Sequence, residues 1–263
     1  MSALPGRAQV VVVGGGIVGC SIAYHLTRRG LTDVLVLEQG QLTGGTTWHA
    51  AGLVSQLKSS HSLTRLATYS ARLFEDLEAE TGQATGYRTP GSISVAADEE
   101  RWEEMLRGMS MARTVGVEIR EIGLDEALEH CPLLNVDDLV GALYIPHDGV
   151  TSPVDTTMAL AKGANQRGAR VIEGIAVERL DVVDERIAGV HTEPGYVEAE
   201  TVVLAGGMST RQLAATAGIK VPLQACEHFY IVTEPIEGVA RNMPTVRDPG
   251  NYTYFKEETG KIM

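Results

Sequence analysis

Residues 10–19 read Val10-Val11-Val12-Val13-Gly14-Gly15-Gly16-Ile17-Val18-Gly19, and this stretch decides the fold. An unbroken apolar run that passes through glycines into a helical pattern is a buried strand, a tight turn and a helix start. Gly14, Gly16 and Gly19 have the spacing G-x-G-x-x-G, which lets backbone N–H groups and a helix N-terminus meet a pyrophosphate without Cβ interference. Val18, Ile22 and Leu26 fall on one helical stripe, which predicts that this face packs flat on the sheet. Gly30 follows as the residue past the helix end, with Arg28 and Arg29 where the helix dipole favours cations. A second apolar run at 34–37 completes a βαβ unit. Glu38 then stands about 20 residues beyond the glycines, where a carboxylate accepts from ribose hydroxyls. Ile17, Val18 and Gln39 are the neighbouring candidates for nucleotide contact, and the carboxylate favours a ribose with a free 2′-OH over NADP.

Composition narrows the functional classes. The 263 residues are 44% hydrophobic, enough for one large core or two smaller ones. A formal charge of -12 and a sequence pI of about 5.0 argue against a nucleic-acid partner, which needs clustered Lys and Arg. Cys20, Cys131 and Cys226 are far apart, so neither a disulfide framework nor a zinc site can be read from them, and a reducing compartment is expected. His25, His61, His130, His147 and His191 show no metal-ligand spacing. The stretch Met1–Gln9 has one Arg and no apolar core, and apolar runs elsewhere reach only strand length, so neither a signal peptide nor a membrane span is expected.

Beyond the first βαβ unit, an amphipathic helix over 63–77 stops near Gly82. Strand-like runs at 92–96 and 141–145 flank a charged helix over 99–114. A helix over 155–167 ends at Gly168, and apolar runs follow at 171–172, 176–183, 186–191 and 201–205, the last ending in Gly206-Gly207. Further strands are expected at 229–233 and 252–255. The pattern predicts an α/β fold: a discontinuous Rossmann-like domain (1–86 and 145–222) with an inserted, mainly antiparallel β-sheet substrate domain (87–144 and 223–263).

The loop after the second strand reads Gly44-Gly45-Thr46-Thr47-Trp48-His49-Ala50-Ala51-Gly52-Leu53. Here the chain resembles the amine-oxidising branch of the D-amino-acid-oxidase-like flavoproteins, and within it the dimethylglycine/sarcosine dehydrogenase group. Asp148-Gly149-Val150 and Val203-Leu204-Ala205-Gly206-Gly207 extend that resemblance over nearly the whole chain. The resemblance implies FAD as cofactor, bonded through His49 to the 8α-methyl of the isoalloxazine. It implies Ala51, Gly52 and Leu53 close to the flavin, Ala176 and Val177 backbone at the adenine, and Ala205, Gly206 and Gly207 near the cofactor. Thr46 and Thr47 can donate to the phosphates or the ring, or serve only to start the helical turn. Glu227-His228-Phe229-Tyr230 and Asn251-Tyr252-Thr253-Tyr254-Phe255 resemble the substrate-domain strands, which assigns catalytic roles to His228 and to Tyr254, with Tyr252 as the same-face alternative.

The implied reaction is hydride transfer from the carbon beside the amine of dimethylglycine, sarcosine or a similar N-methylated amine to flavin N5, with oxygen or an electron-transfer flavoprotein as acceptor. The resemblance also marks the chain as a fragment that lacks the segment closing the flavin site and a following tetrahydrofolate-binding region. Two rival expectations stand beside this one: a non-catalytic subunit resembling the regulatory subunit of pyruvate dehydrogenase phosphatase, and an amine oxidase with dissociable FAD. A bacterial cytoplasm is expected over a mitochondrial matrix.

Overall fold

A computed structural model describes residues 4–263. The first three residues of the stretch Met1–Gln9, and with them part of the expected absence of a leader, lie outside the described residues. In chain order the elements are β1 (Arg7–Val13), α1 (Ile17–Arg28), β2 (Val34–Glu38), β3 (Leu53–Val54), α2 (His61–Thr81), β4 (Ser92–Ala96) and α3 (Glu99–Thr114). Next come β5 (Arg120–Ile122), α4 (Leu124–His130), β6 (Gly141–Ile145), β7 (Gly149–Val150), α5 (Pro153–Gln166) and β8 (Arg170–Glu173). The chain continues through β9 (Val177–Val183), β10 (Arg186–Thr192), β11 (Gly195–Leu204), α6 (Thr210–Ala215), β12 (Thr245–Asp248), β13 (Thr253–Phe255), β14 (Glu257–Glu258) and β15 (Lys261–Ile262).

Two compact units result, and the backbone passes between them more than once. The first comprises 1–50, 76–86 and 152–227; the second comprises 51–75, 87–151 and 228–263. In the first unit a six-stranded sheet has the order β8-β2-β1-β11-β10-β9. β8, β2, β1 and β11 run parallel, and β10 and β9 continue as an antiparallel edge. The parallel strands are buried on both faces, which is why 10–13 and 34–37 are apolar without alternation. Val11, Val13, Leu35 and Leu37 join Ile172, Val190 and Val197 in one core.

α1 packs on that sheet by a different face from the one the stripe predicts. Gly19, Cys20, Ala23, Tyr24 and Thr27 are buried, whereas Val18 is 59% exposed and Ile22 and Leu26 are only half-buried. The physical reason is a second neighbour: α1 also packs against α5, whose Gly163 leaves room for the Tyr24 ring, a Cβ there standing 2.9 Å from it. Small residues on both helices allow the approach, and the branched apolar side chains stay at the margin. α5 begins on Ser152, whose hydroxyl accepts from the Asp155 amide at 3.3 Å, with Pro at the first helical position. It ends before Gly168, which has φ +105°.

In the second unit a five-stranded sheet has the order β13-β12-β4-β6-β5, antiparallel except for the β12–β4 pair. Ile93, Val95, Ala142 and Val246 face one core, and Leu143 and Ile145 face another under α3. α3 starts on Asp98, which accepts from the Arg101 amide at 2.8 Å, with Glu99 and Glu100 in its first turn.

Residues 229–233 do not form the expected strand. They lie outside regular structure, with Phe229 85% and Ile231 79% exposed, and among the described residues only the Thr233 amide of this stretch is bonded, to Ile262 O at 3.0 Å. A strand exists through a neighbouring ladder, and among the described residues none runs beside 229–232. The expected strand at 252–255 begins one residue later, because Tyr252 has φ +53° and belongs to the preceding turn.

Candidate functional site

The site is built where the carboxyl ends of β1, β2 and β11 meet. The βαβ crossover leaves β1 toward β2 while β11 lies on its other side, so the strand ends open a crevice at the switch point of the sheet. A cavity of about 450 Å³ fills this crevice, within the range of small-molecule sites. Gly14, Gly16, Ile17 and Val18 form one wall, Glu38 and Gln39 a second, Thr46 and Thr47 a third, and Ala205, Gly206 and Gly207 a fourth, with Val177 beyond.

Each wall has a local cause. Gly14 has φ +112°, its amide donates to Leu37 O at 2.9 Å, and a Cβ on it would lie 2.4 Å from Ala205 O. A Cβ on Gly19 would lie 1.9 Å from Gly14 O. Gly19 therefore does not line the cavity; it lies beneath the loop and lets the helix close against it. Gly16 has the room its role requires only without a side chain, since a Cβ would stand 3.0 Å from Thr47 Oγ1. At Gly14 and Gly19 a side chain would strike backbone, and at Gly16 it would crowd the Thr47 hydroxyl at the cavity wall.

Glu38 ties the turn together. Its Oε2 accepts from the Gly15 amide at 2.6 Å and its Oε1 from the Gly40 amide at 2.9 Å. Thr47 is buried, and its hydroxyl accepts from the Ile17 amide, the first of α1, at 3.1 Å. The start of α1 carries no acidic residue, so its positive dipole end is left to this hydroxyl and to whatever anion enters. Cys20 lies under the loop, its thiol donating to Gly15 O at 3.5 Å and pushed up to about 12 by burial and then by Glu38 and Glu173. It is an inert packing residue.

The remaining sequence candidates fall elsewhere. His49 ends a single helical turn over Thr47–His49; it is exposed, its ring tilted 33° against Trp48 with 3.6 Å between ring centroids, and does not line the cavity. Ala51, Gly52 and Leu53 belong to the second unit. So do His228, exposed and outside regular structure, and Tyr254, half-buried in β13 opposite Arg247. Tyr252 is 92% exposed in a turn, which separates it from Tyr254. Ile175 and Val177 line the cavity, and Ala176 between them is exposed and does not. Sequence reasoning missed Met208 and Ser209, which follow Gly206-Gly207 in a short helical turn; the paired glycines after an apolar strand are the signal that marks it.

These features match those of known proteins. A family model described as FAD dependent oxidoreductase matches residues 9–263. Mitochondrial sarcosine dehydrogenase of Homo sapiens is 42% identical over 259 residues, which is 96% of this chain and 28% of that protein. The mitochondrial pyruvate dehydrogenase phosphatase regulatory subunit of Mus musculus is 39% identical over 264 residues, 99% of this chain and 30% of that one. The chain thus spans less than a third of the length of these relatives. Among solved structures, L-proline dehydrogenase from P. horikoshii superposes with a TM-score of 0.88 at 28% identity, over 98% of this chain and 69% of that chain.

Proposed function

We propose, because the chain belongs to the FAD dependent oxidoreductase family, that it binds FAD along the cavity of the first unit and oxidises a C–N bond of an N-methylated glycine or a similar secondary or tertiary amine. The observation that carries this reading is the convergence of the glycine turn, Glu38, Thr47 and the 205–207 turn on one crevice at the strand ends. The α1 N-terminus and Thr46 and Thr47 hold the pyrophosphate, Glu38 takes the ribose hydroxyls, and Ile175 and Val177 pack on the adenine. FAD, when bound, supplies N5 as the hydride acceptor; the protein supplies orientation and electrostatics.

His49 is the proposed attachment point for the flavin 8α-methyl. Its position one turn beyond two threonines of the cavity, with its ring exposed, supports that role. In the second unit, His228 and Tyr254 are assigned to the substrate amine, His228 taking its proton so that the neutral amine reacts. Ala51, Gly52 and Leu53, with no or small side chains at two of the three positions, are assigned to the flavin edge. For the whole protein, the electron acceptor is oxygen or an electron-transfer flavoprotein, and a tetrahydrofolate site is assigned to a neighbouring region. A bacterial cytoplasm or a mitochondrial matrix suits this chemistry. No helix among the described residues is long and apolar enough to cross a membrane.

The 39% identity to a regulatory subunit favours a second reading, in which the fold serves interaction without turnover. One experiment separates them: a denaturing gel of the protein and of His49→Ala, viewed for flavin fluorescence, with mass analysis of the His49 peptide and an assay on sarcosine and dimethylglycine. The expected result is fluorescence in the parent band only, together with amine-dependent flavin reduction. Acid-extractable flavin with turnover would replace the covalent bond by dissociable FAD, and a dark band without turnover would favour the regulatory reading.

A further inference from the structure

Among the described residues of the second unit one lysine is buried. Lys256 follows β13 directly, two residues after Tyr254, and is 7% exposed, a setting that lysine accepts only when its charge is paired. Its backbone is fixed in both directions: its amide donates to Met263 O at 3.0 Å and its carbonyl accepts from the Met263 amide at 2.9 Å. The ammonium has two partners, Glu258 Oε2 at 2.6 Å and the Ala51 carbonyl at 2.8 Å, the latter across 205 positions of chain. Glu258 balances the charge. The bond to Ala51 adds no charge balance; it fixes a position.

Ala51 is the first residue of the second unit, and the residues after it are held by backbone alone. Leu53 and Val54 pair with Val150 and Gly149 in the β3–β7 ladder, and the Gly52 carbonyl accepts from the Thr151 amide at 2.8 Å. Gly52 has φ +75°, which turns the chain out of that extended run, so Ala51 lies beyond the ladder. Among the described residues no backbone amide donates to the Ala51 carbonyl, and the Lys256 ammonium does. The base of the lysine is tied to the same ladder. Glu257, 5% exposed, pairs with Arg88 at 2.5 Å and accepts from the Gly260 amide at 3.0 Å, and the Arg88 backbone bonds Val150 in both directions. Lys256 therefore reaches Ala51 from a fixed base.

We propose that Lys256 is a positioning residue for amine oxidation: through the Ala51 carbonyl it sets the segment 51–53 and ties it to the strand that carries Tyr254. The proposal rests on the reading above, in which 51–53 lie at the flavin edge and Tyr254 at the amine. On that reading one ammonium fixes the flavin-side backbone relative to the substrate-side ring, and reaction rates fall steeply when reacting groups are misplaced by about 1 Å. A methionine would fill the same space without the desolvation cost of an ammonium, so the charge is kept for the bond it makes.

The test compares the FAD-loaded full chain with Lys256→Met and Lys256→Arg by rapid-mixing flavin reduction with sarcosine and dimethylglycine, by the visible flavin spectrum and by amide exchange at 51–53. Lys256→Met should lower the limiting reduction rate by about 10- to 100-fold with little change in the amine concentration that half-saturates it, shift the flavin bands and speed exchange at 51–53. Lys256→Arg, which keeps a donor, should recover part of each effect. If the methionine variant fails to fold, Lys256→Gln, with a shorter neutral head, gives the same comparison. A lysine that only supports the fold would lower the melting temperature and leave the rate and spectrum of the folded protein at parental values, and that result overturns the proposal. A parent that amines do not reduce would overturn the amine-oxidising reading, and exchange at 51–53 with the flavin spectrum would still decide whether Lys256 sets this segment.

Discussion

A Cβ on Gly14 would stand 2.4 Å from the carbonyl oxygen of Ala205, so the end of β1 and the end of β11 can meet only because residue 14 has no side chain. The same residue has φ +112°, a backbone conformation that an L side chain rarely adopts. Gly14→Ala therefore combines strain with a clash against backbone, and its expected cost is on the order of 1–3 kcal/mol of stability. Flavin content of the purified variant, read from its absorbance, should fall to near zero. A Gly14→Ala protein with parental melting temperature and full flavin would contradict the geometry.

Glu38 uses both carboxylate oxygens on backbone amides, those of Gly15 and Gly40. Glu38→Ala leaves two amides without their acceptor, at about 1–3 kcal/mol for each that stays unpaired, while Glu38→Gln keeps one acceptor oxygen. Stability should thus fall in the order parent, Gln, Ala, and FAD affinity should follow. Denaturant titration with and without added FAD measures both; an alanine variant as stable as the glutamine one would refute the two-amide role.

The Thr47 hydroxyl caps α1 through the Ile17 amide at 3.1 Å. Thr47→Val keeps the shape and removes the acceptor, and should lower stability by about 1 kcal/mol. Thr47→Ser should keep it. Melting curves of the two variants decide the matter, since equal losses would assign the effect to packing of the methyl group.

Tyr24, fully buried, donates to both oxygens of Glu80 at 2.7 and 2.8 Å, and Arg167 donates to the same carboxylate. Burial pulls the Glu80 carboxyl up, but the hydrogen bonds from Tyr24 and Arg167 overcome it and hold the group below its ordinary value. A depressed carboxyl contributes stability that is present above its unfolded pKa and is lost as pH falls through the folded one. Tyr24 runs the other way: burial and then Glu80 push it from 10.0 to about 12, so its contribution is full below pH 10 and is lost as pH rises toward about 12. Tyr24→Phe should cost about 1.5–3 kcal/mol at neutral pH and flatten the alkaline limb of a stability–pH profile. An unchanged alkaline limb would show that the pair does not carry it.

We propose that His228 and Tyr254 act on the amine, and general acid–base groups contribute about 10²- to 10⁴-fold. His228→Gln should lower kcat in that range. Tyr254→Phe should act mainly on kcat/KM. If His228→Gln keeps the parental kcat, the proton acceptor is another group.

Much of the first unit was legible from local spacing. The glycine turn, the helix behind it and the carboxylate at the end of β2 are written within about 30 residues, because a pyrophosphate cradle is made by neighbouring backbone atoms whose conformation depends on nearby residue types. α3 and β4 likewise follow from an N-cap aspartate and a short apolar run. The stripe of Val18, Ile22 and Leu26 misled because α1 has two neighbours, and only the position of Gly163 on α5 shows which face takes the buried Tyr24. Residues 229–233 misled for the opposite reason: β-branched and aromatic residues permit a strand, but hydrogen bonds from another segment make one.

By itself, then, the sequence determined the dinucleotide turn, the periodicity of most elements and the family, since each of these is carried by residues close together or by a contiguous motif. The tertiary structure decided which residues meet. Gln56 bonds Asp148 across 92 positions, Arg247 reaches Ser94 and Tyr254 through strand register, and Ala205 closes on Gly14 from the far end of the first unit. Such meetings depend on long-range pairing and on burial that changes the energy of a charge, and neither has a signature in any short stretch of chain.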